Sequence, residues 1–210
     1  MWQNRNILVG VAGGTGSGKT TVVAEMSRML GGDIAVIPSD AYYHDRSTLD
    51  YEERKRINYD HPEAVETGLL CEHMEQLKKG ESVERPVYDF ITHTRKKETI
   101  TVRATDIIIL EGILIYAIEQ IRALIDIRIF VDTDSDERLI RRIIRDVMER
   151  GRSHEDSMIQ WRETVSPMHG LYVEASKKEA HIIVPHGYNE IAVGMIVAFL
   201  QKFKSDKEKR

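Results

Sequence analysis

The segment Gly13-Gly14-Thr15-Gly16-Ser17-Gly18-Lys19-Thr20 fits the pattern G-x-x-x-x-G-K-[ST]. Residues of these types at this spacing bind a chain of phosphates. Glycines let the backbone turn tightly and aim its N–H groups at phosphate oxygens. Lys19 is placed to reach the β- and γ-phosphates, and Thr20 to hold Mg²⁺ through its hydroxyl, with Thr21 beside it. ATP or GTP with Mg²⁺ is therefore expected. Two carboxylates follow apolar runs, where open parallel sheets collect ligands. Asp40 could take a proton from an attacking hydroxyl or simply start a turn. Glu111 ends an aliphatic run and suits the metal.

Arginines form a second constellation. Arg138, Arg141, Arg142 and Arg145 share one face of a helix, while Leu139, Ile140, Ile143, Ile144, Val147 and Met148 lie opposite and are expected to face the core. Asp134 and Glu137 have capping-box spacing. Beyond the helix, Arg150-Gly151-Arg152 suits a lid over about 150–160 that closes on phosphates and excludes water. Tyr88, Phe90 and His93 could stack and hydrogen-bond a flat base, although spacing alone favours ordinary packing. The other histidines show no zinc spacing.

These residues need a scaffold of strand ends and helix starts. Apolar runs at 7–12, 34–38, 107–110, 127–131 and 182–184 read as five strands of a mostly parallel sheet. Helical stretches are expected at 19–30, 69–79, 114–124, 135–150, 154–178 and 191–203, with a frayed charged tail at 204–210. The segment 83–102 reads as an inserted β-hairpin. The expectation is a single α/β domain over 1–210, with a five-stranded parallel sheet flanked by helices, the hairpin and the arginine lid.

Composition narrows the function. At 41% hydrophobic and 30% charged the chain is globular rather than disordered, and a net charge of −4 argues against general nucleic-acid binding. No apolar run is long enough for a membrane span. Cys71 is the only cysteine, which excludes an intramolecular disulfide and fits a reducing compartment. Residues 1–6 lack a signal pattern, so a cytoplasmic location is expected.

Beyond the phosphate loop, the chain carries Ser39-Asp40-Ala41-Tyr42-Tyr43, Asn58-Tyr59-Asp60-His61-Pro62, Pro86-Val87-Tyr88-Asp89-Phe90, His93-Thr94-Arg95, Ile109-Leu110-Glu111-Gly112-Ile113, Phe130-Val131-Asp132-Thr133, and Arg141-Arg142 through Arg145-Asp146 to Glu149-Arg150-Gly151-Arg152. In order and spacing it resembles the uridine kinase (uridine–cytidine kinase) family from residue 7 to about 203. The resemblance implies a P-loop kinase that converts uridine or cytidine to UMP or CMP in pyrimidine salvage. It further implies a homo-oligomer of two or four chains. It implies Asp40 as base, Asp60 with Arg142 on the ribose, and Tyr88 and His93 on the pyrimidine edge with Phe90 beside it. Arg152 and Gln160 become nucleoside contacts, Arg145 and Arg150 phosphate-side arginines, and Thr20 and Glu111 the magnesium positions. The chain departs from the family at His181, at His186 (family Arg) and at Asn189, which stands where some members carry an acid near the nucleotide. Phosphoribulokinase or pantothenate kinase chemistry, and a regulatory nucleotide-binding module without turnover, are the alternatives.

Overall fold

The computed structural model describes residues 6–208, so the residues before Asn6, and with them most of the amino-terminal segment read above, lie outside the description. Five strands form one parallel sheet: β1 (Ile7–Ala12), β2 (Ala35–Pro38), β5 (Ile107–Gly112), β6 (Ile127–Val131) and β7 (Ile182–Val184). Their order is β2-β5-β1-β6-β7. The central strands are aliphatic because helices cover both faces. On one side Val22, Val23 and Met26 of α1 (Lys19–Met29) pack with Val193, Ile196, Val197 and Leu200. On the other, Leu70, Met74 and Leu77 meet Tyr42, Tyr116 and Phe130.

β3 (Val83–Asp89) and β4 (Thr94–Val102) form a separate antiparallel pair, the hairpin insert. Short α2 (Tyr51–Lys55) starts on a capping box of Asp50 and Glu53, and α3 (Thr67–Lys78) leads into the hairpin. α4 (Glu119–Leu124) is shorter than expected, because Leu114, Ile115, Tyr116 and Ile118 are buried in turns before it.

α5 (Ser135–Arg150) runs over its expected length with its faces exchanged. Arg138, Arg142 and Asp146 are its buried residues, whereas Ile140, Ile144 and Met148 are 53%, 54% and 79% exposed. The helix lies against the phosphate loop, and polar partners there offset the cost of burying guanidinium groups. Asp134 stands at its N-cap without a side-chain cap bond, so the capping box read there does not form. The stretch expected as one helix over 154–178 divides into α6 (His154–Gln160), a π-helical turn Trp161–Val165, α7 (Ser166–Met168) and a second π turn His169–Glu174. The last helix, α8 (Glu190–Glu208), does not fray at 204: Lys204 pairs with Asp33 at 2.6 Å, and Lys207 donates to Asn6 Oδ1 at 2.9 Å. Among the described residues, no helix is long and apolar enough to cross a membrane.

Candidate active site

The carboxyl ends of β1, β2 and β5 open into a cavity of about 840 Å³ that runs from the phosphate loop to the hairpin. The loop leaves β1, and Lys19 opens α1. Gly16 has φ +75°, and a Cβ there would run into the carbonyl oxygen of Arg138. Only glycine lets the loop turn so tightly against α5. Lys19 donates to the Gly14 carbonyl at 3.0 Å. Burial holds its ammonium down, to about 8, against the opposing pull of Glu111 and Asp40.

Glu111 lies within β5, and the Thr20 hydroxyl donates to it at 3.1 Å. Burial raises the Glu111 carboxyl above its ordinary range, while Lys19 pulls it down. A hydroxyl and a carboxylate side by side, facing the place of a phosphate chain, are the hard oxygen donors that Mg²⁺ takes. Asp40 sits in a 3₁₀ turn (Ser39–Tyr42) just after β2 and lines the same cavity. That turn is entered through Pro38 with no side-chain cap bond, so Asp40 does not serve as a cap. The turn nests tightly against β5: a Cβ at Gly112 would collide with the Ser39 hydroxyl.

The other end of the cavity is aromatic. Tyr43, Tyr59, Tyr88 and Phe90 meet edge-on or tilted, with centroids 5.2–6.1 Å apart. Tyr59 stacks on His93 at 5.4 Å and 18°. His93 occupies the hairpin turn at φ +54°. Burial, with Arg152 and Arg150 nearby, lowers its pKa to about 4, so the ring is neutral. Asp60 is buried, and burial raises its carboxyl despite the Arg142 charge.

α5 and the segment after it form the third wall. Arg142 and Arg145 both donate to the Thr15 hydroxyl, at 3.2 and 3.0 Å. Gln160 accepts from Arg142 at 2.6 Å and also from Arg152. The Arg150 guanidinium lies 4.3 Å from the centroid of the Phe90 ring. Arg138 backs the loop instead: it donates to the Thr133 carbonyl and stands 3.5 Å from His169 and 5.4 Å from the Trp161 ring centroid. Asn189 lies apart from the cavity lining and caps α8, accepting from Ala192 N–H at 3.0 Å. Residue reasoning gave no role to Tyr43, Tyr59 or Asp146. Asn58-Tyr59-Asp60 carried the available signal for Tyr59.

A strand–glycine loop–helix under a parallel sheet, with a strand-end carboxylate and an arginine wall, defines a phosphate-loop kinase. The fold agrees with phosphoribulokinase from Rhodobacter spheroides, with a TM-score of 0.65 at 15% identity over 88% of this chain and 71% of that one. The Phosphoribulokinase / Uridine kinase family matches residues 8–192, and the chain belongs to it. It is 48% identical over 206 residues to the uridine kinase of Clostridium novyi (strain NT), covering 97% of this chain and 99% of that one. It is 47% identical over 205 residues to the uridine kinase of Halalkalibacterium halodurans, covering 97% of each.

Proposed function

We propose that the chain transfers the γ-phosphate of ATP or GTP to the 5′-hydroxyl of uridine or cytidine. The observation that carries this is one cavity joining Lys19 and Asp40 to Tyr88, Phe90 and His93. A base between the hairpin aromatics, with its ribose on Asp60 and Arg142, directs the 5′-hydroxyl toward Asp40. Asp40 takes the proton. Lys19, Arg145 and Arg150 stabilise charge on the transferring group, and positioning supplies much of the acceleration. Thr20 and Glu111 would hold Mg²⁺, which when bound neutralises charge on the β- and γ-phosphates. Arg152 and Gln160 close over the nucleoside, so that water is kept from competing. Neutral His93 has one donor and one acceptor nitrogen, which accommodates the 4-oxo group of uridine or the 4-amino group of cytidine.

A coupled assay with ATP-Mg²⁺ across uridine, cytidine, thymidine, adenosine, ribulose 5-phosphate and pantothenate tests the reading. Turnover confined to the two pyrimidine ribosides is the expected result. Turnover on ribulose 5-phosphate or pantothenate alone would replace it with the sibling chemistry, and none at all would leave a regulatory nucleotide-binding module.

The chain also assembles with copies of itself in this reading. The exposed stripe Ile140, Ile144 and Met148, and a second one of Ile191, Met195 and Phe199 at 77%, 71% and 49% exposure, support it. Sedimentation equilibrium is expected to give a dimer or tetramer. A monomer at micromolar concentration would exclude it.

A further inference from the structure

Asp146 is fully buried on the inner face of α5, and four arginines converge on its carboxylate. The contacts divide evenly between the oxygens. Arg145 Nη2 and Arg150 Nη1 approach Oδ1 at 3.5 and 3.3 Å. Arg142 Nε and Arg152 Nη1 approach Oδ2 at 3.3 and 3.4 Å. The Arg152 backbone N–H also donates to the Asp146 carbonyl at 3.1 Å, which fixes the chain just past Gly151. Thr15 and Gln160, which accept from members of this cluster, are neutral. Asp146 is therefore the carboxylate that all four cations touch, while the charges of Asp60 and Asp40 reach them from farther off. Without it their mutual repulsion, weakly screened in so buried a place, would spread them apart.

The division by oxygen follows the roles proposed above, although Arg142 also donates to Thr15 of the phosphate loop and Arg150 lies on the Phe90 ring. The Oδ1 pair is the one assigned above to the donor phosphates, and the Oδ2 pair the one assigned to the nucleoside. We propose that Asp146 is a positioning residue for phosphoryl transfer. Each oxygen holds one pair of arginines at the reach its ligand requires. This rests on the kinase reading for the identity of the two ligands, and on the geometry alone for the array.

The test is Asp146→Asn in the full chain. Asparagine keeps the shape, replaces one acceptor oxygen by a donor and removes the negative charge. Per folded molecule, kcat should fall about tenfold or more, since a misplacement of about an ångström can cost 10²-fold. The dissociation constant for inorganic pyrophosphate, measured calorimetrically without nucleoside, should fall about threefold or more, because the cations lose their counter-charge. A lowered melting temperature with kcat, KM and pyrophosphate affinity unchanged would reduce Asp146 to a structural role and overturn the proposal. Should the variant not fold, Asp146→Glu keeps the charge and moves it by one methylene. Pyrophosphate affinity is then expected within about twofold of wild type, with kcat lower by about fivefold. Wild-type kcat in that variant would overturn the proposal equally. If the wild-type chain fails to phosphorylate uridine, the kinase reading falls while the pyrophosphate arm still reports on Asp146.

Discussion

The two ends of the cavity are built on opposite plans. The phosphate end is centred on one unbroken segment, Gly13 to Thr20, to which Glu111, Arg145 and Arg150 add their side chains. The nucleoside end is gathered from the loop at Tyr59 and Asp60, from the hairpin, and from the wall after α5, and it works almost wholly through side chains. Phosphates are alike in every nucleotide, so a rigid backbone cradle suffices for them. A base must be told from other bases, and that needs adaptable polar edges held by aromatic packing. The comparison teaches where the energy sits: charge at one end, shape and hydrogen-bond pairing at the other.

Substitutions should separate these two. Lys19→Ala strikes the charged end, and kcat should fall about 10³-fold, the scale of losing a group that stabilises transition-state charge. Circular dichroism should stay native, and an active Lys19→Ala enzyme would deny that charge dominates this end. Asp40→Asn sits at the junction and should cost about 10²-fold or more in kcat with little change in nucleoside binding. A large rise in uridine KM instead would move Asp40 into the nucleoside end. His93→Phe keeps the stacking and loses the polar edge. An unpaired buried polar group costs about 1–3 kcal/mol, so kcat/KM for uridine, cytidine or both should drop roughly one to two orders of magnitude. Unchanged values for both would place base discrimination elsewhere.

The smallest effect is in pH. Lys19 in the free site titrates near 8, below its ordinary value, because burial disfavours the ammonium. Phosphates need that ammonium, so ATP affinity should weaken as pH rises through 8, by at most about tenfold per unit. Calorimetry in buffers of different ionisation heat should show proton uptake on nucleotide binding at pH 9. Cytidine affinity should stay flat there, since its base does not ionise in that range and His93, which titrates near 4, is neutral throughout. For folding, that lowered His93 pKa means the unfolded chain binds more protons as pH falls below about 6.5, so stability is lost on the way to pH 4.

Much of this arrangement was legible in the chain. The phosphate loop could be read because its chemistry is contiguous, and the five strands because aliphatic runs bounded by turns have few other uses. The direction of α5 could not. Its apolar and charged stripes are plain in the sequence, but periodicity does not say which stripe faces inward. Arg138 and Arg142 are buried because the phosphate loop, Thr133 and Gln160 offer them partners that only the fold brings near. Apolar residues at 114–118 read as helix because burial and helicity leave the same mark there. His93 was ambiguous from its spacing, and family resemblance, not local pattern, pointed to the base. The aromatic box around it spans Tyr43 to Phe90, and no window of sequence that short contains its logic.

The Tyr59–His93 stack lies in the part of the cavity where a base would lodge. The two rings pack on each other, and the Arg150 guanidinium packs on the Phe90 ring. In the reading above His93 meets the base at its edge, so the stack on Tyr59 sets the plane of the imidazole before the base arrives. Recognition then falls on a polar edge that is already in place.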